Sequence, residues 1–410
     1  MSRASPIGEA TVETAALSRP EHVPPELVVD FDFFRPEGAE VDPFLALKRL
    51  HDKPDIFWTP RNGGHWVATR GDDIRAILTE PEVFSSRHVF IPKSGRPPIV
   101  PLELDPPDHE AYRRLLLPAF TPPAVAAWSQ QARELAVSLI DGFHARGECE
   151  FIGEFAQQLP IIIFLRMCDL PLEDRDMLVG WVKVFVRPAE AGSGSREQMY
   201  DYIRRMVDER RAHPGEDMIS RALHADVGGR KLNDEEAMGL INGLLGGGLD
   251  TVASSMGWVA LFLARNPGHR RQLVEDPGLI PKAVDELLRR FSVPNIARTL
   301  KADAVYKGVE MKAGEQVLLP ACLQAMDERT FEDPMAVDFR RADARMHCTF
   351  SQGVHRCPGS TLALQEIRIF LDEWMKRIPD FQVTEDAVVR TGTGIVHGVI
   401  ELPLSWPVEG

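Results

Sequence analysis

The chain has 410 residues and carries 47 Lys and Arg against 61 Asp and Glu, a formal net charge of −14. That acidity excludes a protein whose main task is to coat nucleic acid or an anionic membrane. A composition of 44% hydrophobic and 26% charged residues excludes a disordered or fibrous chain and provides for a sizeable core.

Residues 1–30 mix Pro, Glu, Ser and Ala and lack the apolar run of a secretory signal, so they read as a soluble arm. The five cysteines, Cys149, Cys168, Cys322, Cys348 and Cys357, are odd in number and include no C-x-x-C pair. Neither a disulfide framework nor a zinc ribbon fits, and a reducing, cytoplasmic location is expected.

From Asp55 to Arg70, two aromatic and β-branched runs flank Asn62-Gly63-Gly64, the pattern of a β-hairpin. A helical period then dominates a body from about 72 to 292, with breaks expected at Gly95 to Pro101, Thr121 to Pro123, Gly192 to Ser195 and Val227 to Gly229. Strand-like segments return at Arg298 to Leu319 and Gly394 to Pro403, with no βαβ rhythm. The predicted fold class is mainly α with small peripheral β-sheets, and no linker divides residues 1–410 into more than a single domain.

Within the body, one helix is predicted from about Asn233 to Arg265, which would span about 50 Å. Its apolar length could suggest a membrane span, but Asp250 halfway along would be costly in lipid. In its middle stands Gly246-Gly247-Gly248-Leu249-Asp250-Thr251. Three glycines give up about 3 kcal/mol of helix propensity, so either another helix or a ligand gains from the bare backbone.

The most informative segment is the loop 350–359, Phe-Ser-Gln-Gly-Val-His-Arg-Cys-Pro-Gly, running into an amphipathic helix from Ser360 to Lys376. Cys357 is thereby placed at a helix N-terminus, where exposed N–H groups favour a thiolate. A chain of this composition matches F-x-x-G-x-x-x-C-x-G by chance about once per thousand.

That loop resembles the haem-binding segment of the cytochrome P-450 superfamily, the haem-thiolate monooxygenases. The resemblance implies haem b as cofactor, with Cys357 as its iron ligand. It implies further that Glu286 and Arg289, an E-x-x-R pair at i, i+3, join Arg340 in an ion-pair network below the haem. Asp250 and Thr251 would be the acid and alcohol that deliver protons to the oxygen being activated. His109, Arg113, Arg298 and His355 would hold the haem propionates.

The chain looks closest to the bacterial camphor-hydroxylating enzyme and its relatives, through Asn62-Gly-Gly-His-Trp66, Phe90-Ile-Pro92, Gly248-Leu-Asp-Thr251 and Gly394-Ile-Val396. By that likeness the substrate pocket is lined by Phe90, Ile99, Val100, Leu244, Gly246, Gly247, Val293, Pro294, Ile395 and Val396. No tyrosine lies between Pro92 and Asp105 to hold a ketone, and Gly246 and Pro294 replace valines, which implies a terpenoid or norisoprenoid bulkier than camphor.

No acidic residue occurs from Ala344 to Gln365, and Arg345 and Arg356 lie in this stretch. With Arg113 and Arg114 they make a candidate dock for an acidic [2Fe–2S] ferredoxin. The alternatives are a peroxide-driven peroxygenase, which has no need of Asp250 and Thr251, and a haem gas sensor or electron carrier, for which there is no output segment.

Overall fold

The expected hairpin forms from Ile56–Thr59 and His65–Ala68, with Trp58 opposite Trp66. Its turn needs left-handed backbone at three successive residues, and Asn62, Gly63 and Gly64 supply φ of 51°, 88° and 71°. The computed structural model describes residues 17–93, 95–187 and 196–408. Half of the expected arm, residues 1–16, and the break expected at Gly192 to Ser195 lie outside the described residues. From Leu17 on, the arm is not detached: the Leu17 N–H donates to the Pro60 carbonyl at 3.0 Å and the Val29 N–H to that of Trp58 at 2.9 Å.

The hairpin belongs to a five-stranded sheet, completed in spatial order by Gln316–Pro320, Asn295–Leu300 and Phe84–Ser85. Three small sheets complete the β content, and the remainder is mostly helical, as the periodicity predicts. The core is one continuous apolar cluster running through both sheet and helices.

Helix boundaries follow local chemistry. Asp42 caps Pro43–Lys48 by accepting from the Phe44 and Leu45 N–H groups at 2.8 and 3.0 Å. Asn233 and Glu236 form a reciprocal capping box at the start of Asp234–Gly248. Glu236 also accepts from the Tyr112 hydroxyl at 2.6 Å, which pins this helix to Asp108–Leu116.

The single long helix expected from Asn233 to Arg265 is two helices. Asp234–Gly248 ends at Leu249, Asp250 adopts φ −136°, and a new helix runs Thr251–Arg265. This stretch is long and apolar enough to cross a membrane, yet 72% of its most apolar window is buried in protein, so it is the core element that Asp250 argues for. The helix Ser360–Arg377 packs along Pro122–His144 and also touches Thr251–Arg265 and Ile280–Arg290.

Candidate active site

The candidate site draws on two sets of elements. The first is the cysteine loop. The Cys357 N–H donates to the Phe350 carbonyl at 2.8 Å, which closes the loop on itself two residues before the helix N-cap, Gly359. Of the five cysteines only Cys357 is exposed. The surrounding protein raises its pKa, while the N–H groups of Gly359 and Ser360 and the charges of Arg113 and Arg356 pull it down. The net direction is up, so the helix end alone does not make the thiolate; a coordinated metal ion would.

Behind the loop sits the predicted Glu286–Arg289 pair. Both side chains are 0% exposed, and two hydrogen bonds of 2.7 and 2.8 Å join them. The remaining Arg289 donors reach the carbonyls of Ala325, Pro334 and Ala336. The third member of the network is Arg341, not Arg340. The Arg341 Nε donates to Glu286 at 3.1 Å, whereas Arg340 is exposed and only its backbone N–H is bonded, to Asp338. Arg340 points outward because Asp338-Phe339 form a turn whose buried member is Phe339.

The second is the helix break. A Cβ built on Gly246 or Gly247 would meet nothing within 4 Å, whereas one on Gly248 would overlap the Phe164 ring. The three glycines therefore divide between the two readings of the sequence. Gly248 permits packing against Phe164, and Gly246 and Gly247 leave the backbone bare. The Thr251 hydroxyl donates to the Gly247 carbonyl at 2.9 Å, taking up an acceptor where the helix is interrupted.

Asp250, expected as the proton-delivering acid, is buried and fully engaged in this structure. It is 5% exposed and clasped by Arg187 through two bonds, one of 2.9 Å, while Ser254 Oγ donates to it at 3.1 Å. Arg187 also reaches the Val396 carbonyl at 3.1 Å, which ties the acid to the pocket wall. Arg187 lies 63 positions from Asp250 and no local pattern links them, so sequence reasoning missed it.

The residues expected to line the pocket fall into two locally packed groups. Val293, Pro294, Ile395 and Val396 form one: Pro294 and Val396 pair as an isolated bridge, and the His397 N–H donates to the Val293 carbonyl at 2.9 Å. Phe90 joins this group through its neighbour Val89, whose carbonyl accepts from the Ala297 N–H at 2.7 Å. Ile99 and Val100 lie against the helix that carries Leu244.

Comparison with known proteins now bears on the chain as a whole. The cytochrome P450 family profile matches residues 172–277 and 278–386, more than half of its length. The chain belongs to the cytochrome P450 family. It is similar, at 36% identity over 94% of its own length and 96% of the relative's, to the probable cytochrome P450 127A1 of Sinorhizobium fredii. It is 31% identical to the mycinamicin IV hydroxylase/epoxidase of Micromonospora griseorubida, over 83% and 89% of the two chains. The crystal structure of CYP101J2 superposes with a TM-score of 0.86 at 40% identity, covering 96% of this chain and all of that one.

Cytochromes P450 are monooxygenases that use O₂, a redox partner and a small substrate, and their cofactor is haem with a cysteine-ligated iron. The residues present fit that group. Three buried side chains hold polar atoms with no partner among the described residues: both ring nitrogens of His109, Nε2 of His355 and Nη2 of Arg298. Two propionate carboxylates would satisfy them. The His109 and His355 rings lie 4.2 Å apart, so they form one cluster.

Burial disfavours the charged form of both histidines, and each neutral ring keeps one N–H to donate. Burial and the charge of Arg298 push the His355 pKa down to about 3, and burial with Arg113 lowers that of His109. The positive charge is carried by Arg298, which stays cationic at neutral pH although burial lowers its pKa to about 10, and by Arg113. Arg113 also donates to the Arg356 carbonyl, tethering the cysteine loop.

The expected electropositive dock is weaker than the sequence suggests. Arg345 pairs with Asp285 at 2.6 Å, and Arg114 pairs with Glu110 at 3.6 Å. His347, in the same stretch, is pushed by burial to about 3 and is neutral.

Proposed function

We propose that this cytochrome P450 is a soluble, cytoplasmic monooxygenase that hydroxylates a compact apolar terpenoid or norisoprenoid, with electrons from an acidic [2Fe–2S] ferredoxin. The observation that carries this reading is the pair Gly246 and Gly247, where an added Cβ would meet nothing within 4 Å on the helix that carries Leu244, in a chain whose Cys357 is its one exposed cysteine. When bound, haem supplies the oxidising chemistry, in which O₂, two electrons and two protons place one oxygen atom in a C–H bond and release the other as water.

The chain's own residues hold, orient and supply protons. Cys357 would bind the iron, and Arg298, Arg113, His109 and His355 would fix the propionates. Phe90, Ile99, Val100, Leu244, Val293, Pro294, Ile395 and Val396 would exclude water and orient the substrate. Thr251, whose hydroxyl donates to the Gly247 carbonyl, would be the alcohol that hydrogen-bonds the oxygen being activated, and Asp250, bonded to Ser254 Oγ and Arg187, would be the acid that supplies the proton.

A spin-state titration of the holoenzyme tests the substrate class. β-Ionone is expected to bind more tightly than camphor, and Gly246→Val to weaken β-ionone more, because added volume penalises the longer ligand. Tighter wild-type binding of camphor than of every ionone-like compound tried overturns the assignment. Cys357→Ser tests the ligand: the red-shifted carbon monoxide band of thiolate-ligated haem should vanish, and its retention would place the ligand elsewhere.

A further inference from the structure

The segment between Val89 and Glu103 reads in the sequence as a loop lacking a tyrosine, but it contains a buried ion pair with no assigned role. The Arg96 guanidinium meets the Glu103 carboxylate in a two-pronged contact of 2.6 and 2.8 Å, and the side chains are only 8% and 3% exposed. The same carboxylate accepts from the Val89 N–H at 3.1 Å and the Ile99 N–H at 2.9 Å. One side chain therefore gathers the start, the middle and the end of the segment.

What the clasp holds is the pocket roof. Arg96 sits 5.5 Å above the centre of the Phe90 ring, and Gln316 Nε2 donates to the Phe90 carbonyl at 2.9 Å. Ile99 and Val100, adjacent to the clasped N–H, press on the helix Asp234–Gly248 at two glycines one turn apart. A Cβ on Gly239 would overlap the Pro98 carbonyl, and one on Gly243 would come to 2.7 Å from Ile99 Cγ2 and 3.3 Å from the Val100 carbonyl. The backbone of the segment thus lies in a groove that only glycines leave open.

We infer that Glu103 and Arg96 are positioning residues that hold this segment closed over the substrate pocket, and so set how tightly and in what orientation an apolar substrate is retained. The inference rests on the pocket reading above. Neither residue faces the reaction. Their effect passes through Phe90, Ile99 and Val100, and a carboxylate with four donors is a stiff anchor because removing any one donor leaves part of a buried charge unsatisfied.

The test uses the ferric holoenzyme with β-ionone and camphor as probes, and cyanide as a small iron ligand that reports on the haem. Arg96→Met leaves Glu103 bonded to Val89 and Ile99, so this variant folds even where Glu103→Gln does not. Expected for Arg96→Met are faster hydrogen exchange at Val89, Ile99 and Glu103, β-ionone affinity about tenfold weaker, mainly through faster release, and cyanide affinity within about twofold of wild type. Arg96→Lys, which keeps the charge and loses the fork, should recover about half of the loss on a logarithmic scale. Unchanged exchange at those amides overturns the clasp itself. Faster exchange with unchanged affinity for both probes also overturns the proposal, and places the fault in the pocket reading, since the segment would then move without touching bound substrate. Cyanide affinity falling in step with β-ionone would show a general haem defect and equally overturn it.

Discussion

The two faces of the haem site are built from opposite materials. On the thiolate face, charged side chains are buried and saturated: Arg289 spends its donors on Glu286 and three carbonyls, and Glu286 accepts from Arg289, Arg341 and the Asp338 N–H. On the substrate face, the helix is interrupted, glycines replace side chains, and the acid at the break, Asp250, is held by an arginine from a distant element. A saturated network has one low-energy arrangement and fixes the metal ligand. A broken helix with one clasped acid has hydrogen bonds that can be exchanged, which proton delivery and substrate entry require.

The largest effect that tests this contrast is on stability. Glu286→Gln keeps the shape but leaves the fully buried Arg289 guanidinium, and the partly buried one of Arg341, without their counter-charge. A loss of about 3–5 kcal/mol is expected, read by urea denaturation of the holoenzyme, with poor haem retention. A loss below about 1 kcal/mol would mean that the thiolate face is no more rigid than the other.

Glu366 is the exception on the thiolate side, a carboxyl on the inner face of Ser360–Arg377 whose pKa burial alone pushes from 4.5 up to about 8. The unfolded chain releases this proton near 4.5 and the folded chain holds it until about 8. Its cost is absent below the unfolded value, grows as pH rises between the two, and is constant above. Glu366→Gln should therefore stabilise the protein by about 3 kcal/mol at pH 7 and change nothing near pH 4. A stability difference independent of pH would show that folding leaves the proton affinity of the Glu366 carboxyl unshifted.

What was legible in the sequence divides along the same line. The Phe350–Gly359 pattern is local, and Glu286 with Arg289 follows from helix spacing, so the thiolate face was readable apart from Arg340 standing in for its neighbour. Turn geometry decides which of two adjacent arginines points inward, and helix period carries no information about that. On the substrate face, the hairpin and the glycine run were readable, because Asn62, Gly63 and Gly64 are needed by a left-handed turn and Gly246 to Gly248 weaken a helix. The break at Leu249 was not, since periodicity continues through it. Arg187 with Asp250, 63 positions apart, and Arg96 with Glu103, seven apart outside any helix or strand, were missed because neither pairing follows a regular spacing.

The proton route gives the next effect. Asp250→Asn keeps the bond from Ser254 but removes the charge that Arg187 holds and the proton to be delivered. Reductant consumption should slow about 100-fold while β-ionone binding changes less than about twofold. Thr251→Ala should instead leave consumption within a few-fold and divert reducing equivalents into hydrogen peroxide, lowering product per reductant. If both variants only weaken substrate binding, the substrate face is a binding wall and the proton comes by another path.

The smallest effect concerns the redox partner, and the structure sharpens where to look. Arg345 is 74% exposed but already faces Asp285, which is nearly buried, so reversing its charge would set two carboxylates together and disturb the helix that carries Glu286. Arg114 is the cleaner probe: it is 72% exposed, and its only ion pair among the described residues is a long, solvated one to Glu110. Such a pair contributes about 0–1 kcal/mol, so folding should not register its loss. An acidic ferredoxin approaching the cysteine loop would feel the reversal through association rate, screened over about 8–10 Å at physiological salt. Arg114→Glu is expected to slow reduction about two- to fivefold at low ionic strength and to match wild type at high salt, with β-ionone affinity unchanged. Equal rates across the salt series would remove the docking face from this side of the molecule and leave Arg113, Arg298 and the histidines as groups that serve the haem alone.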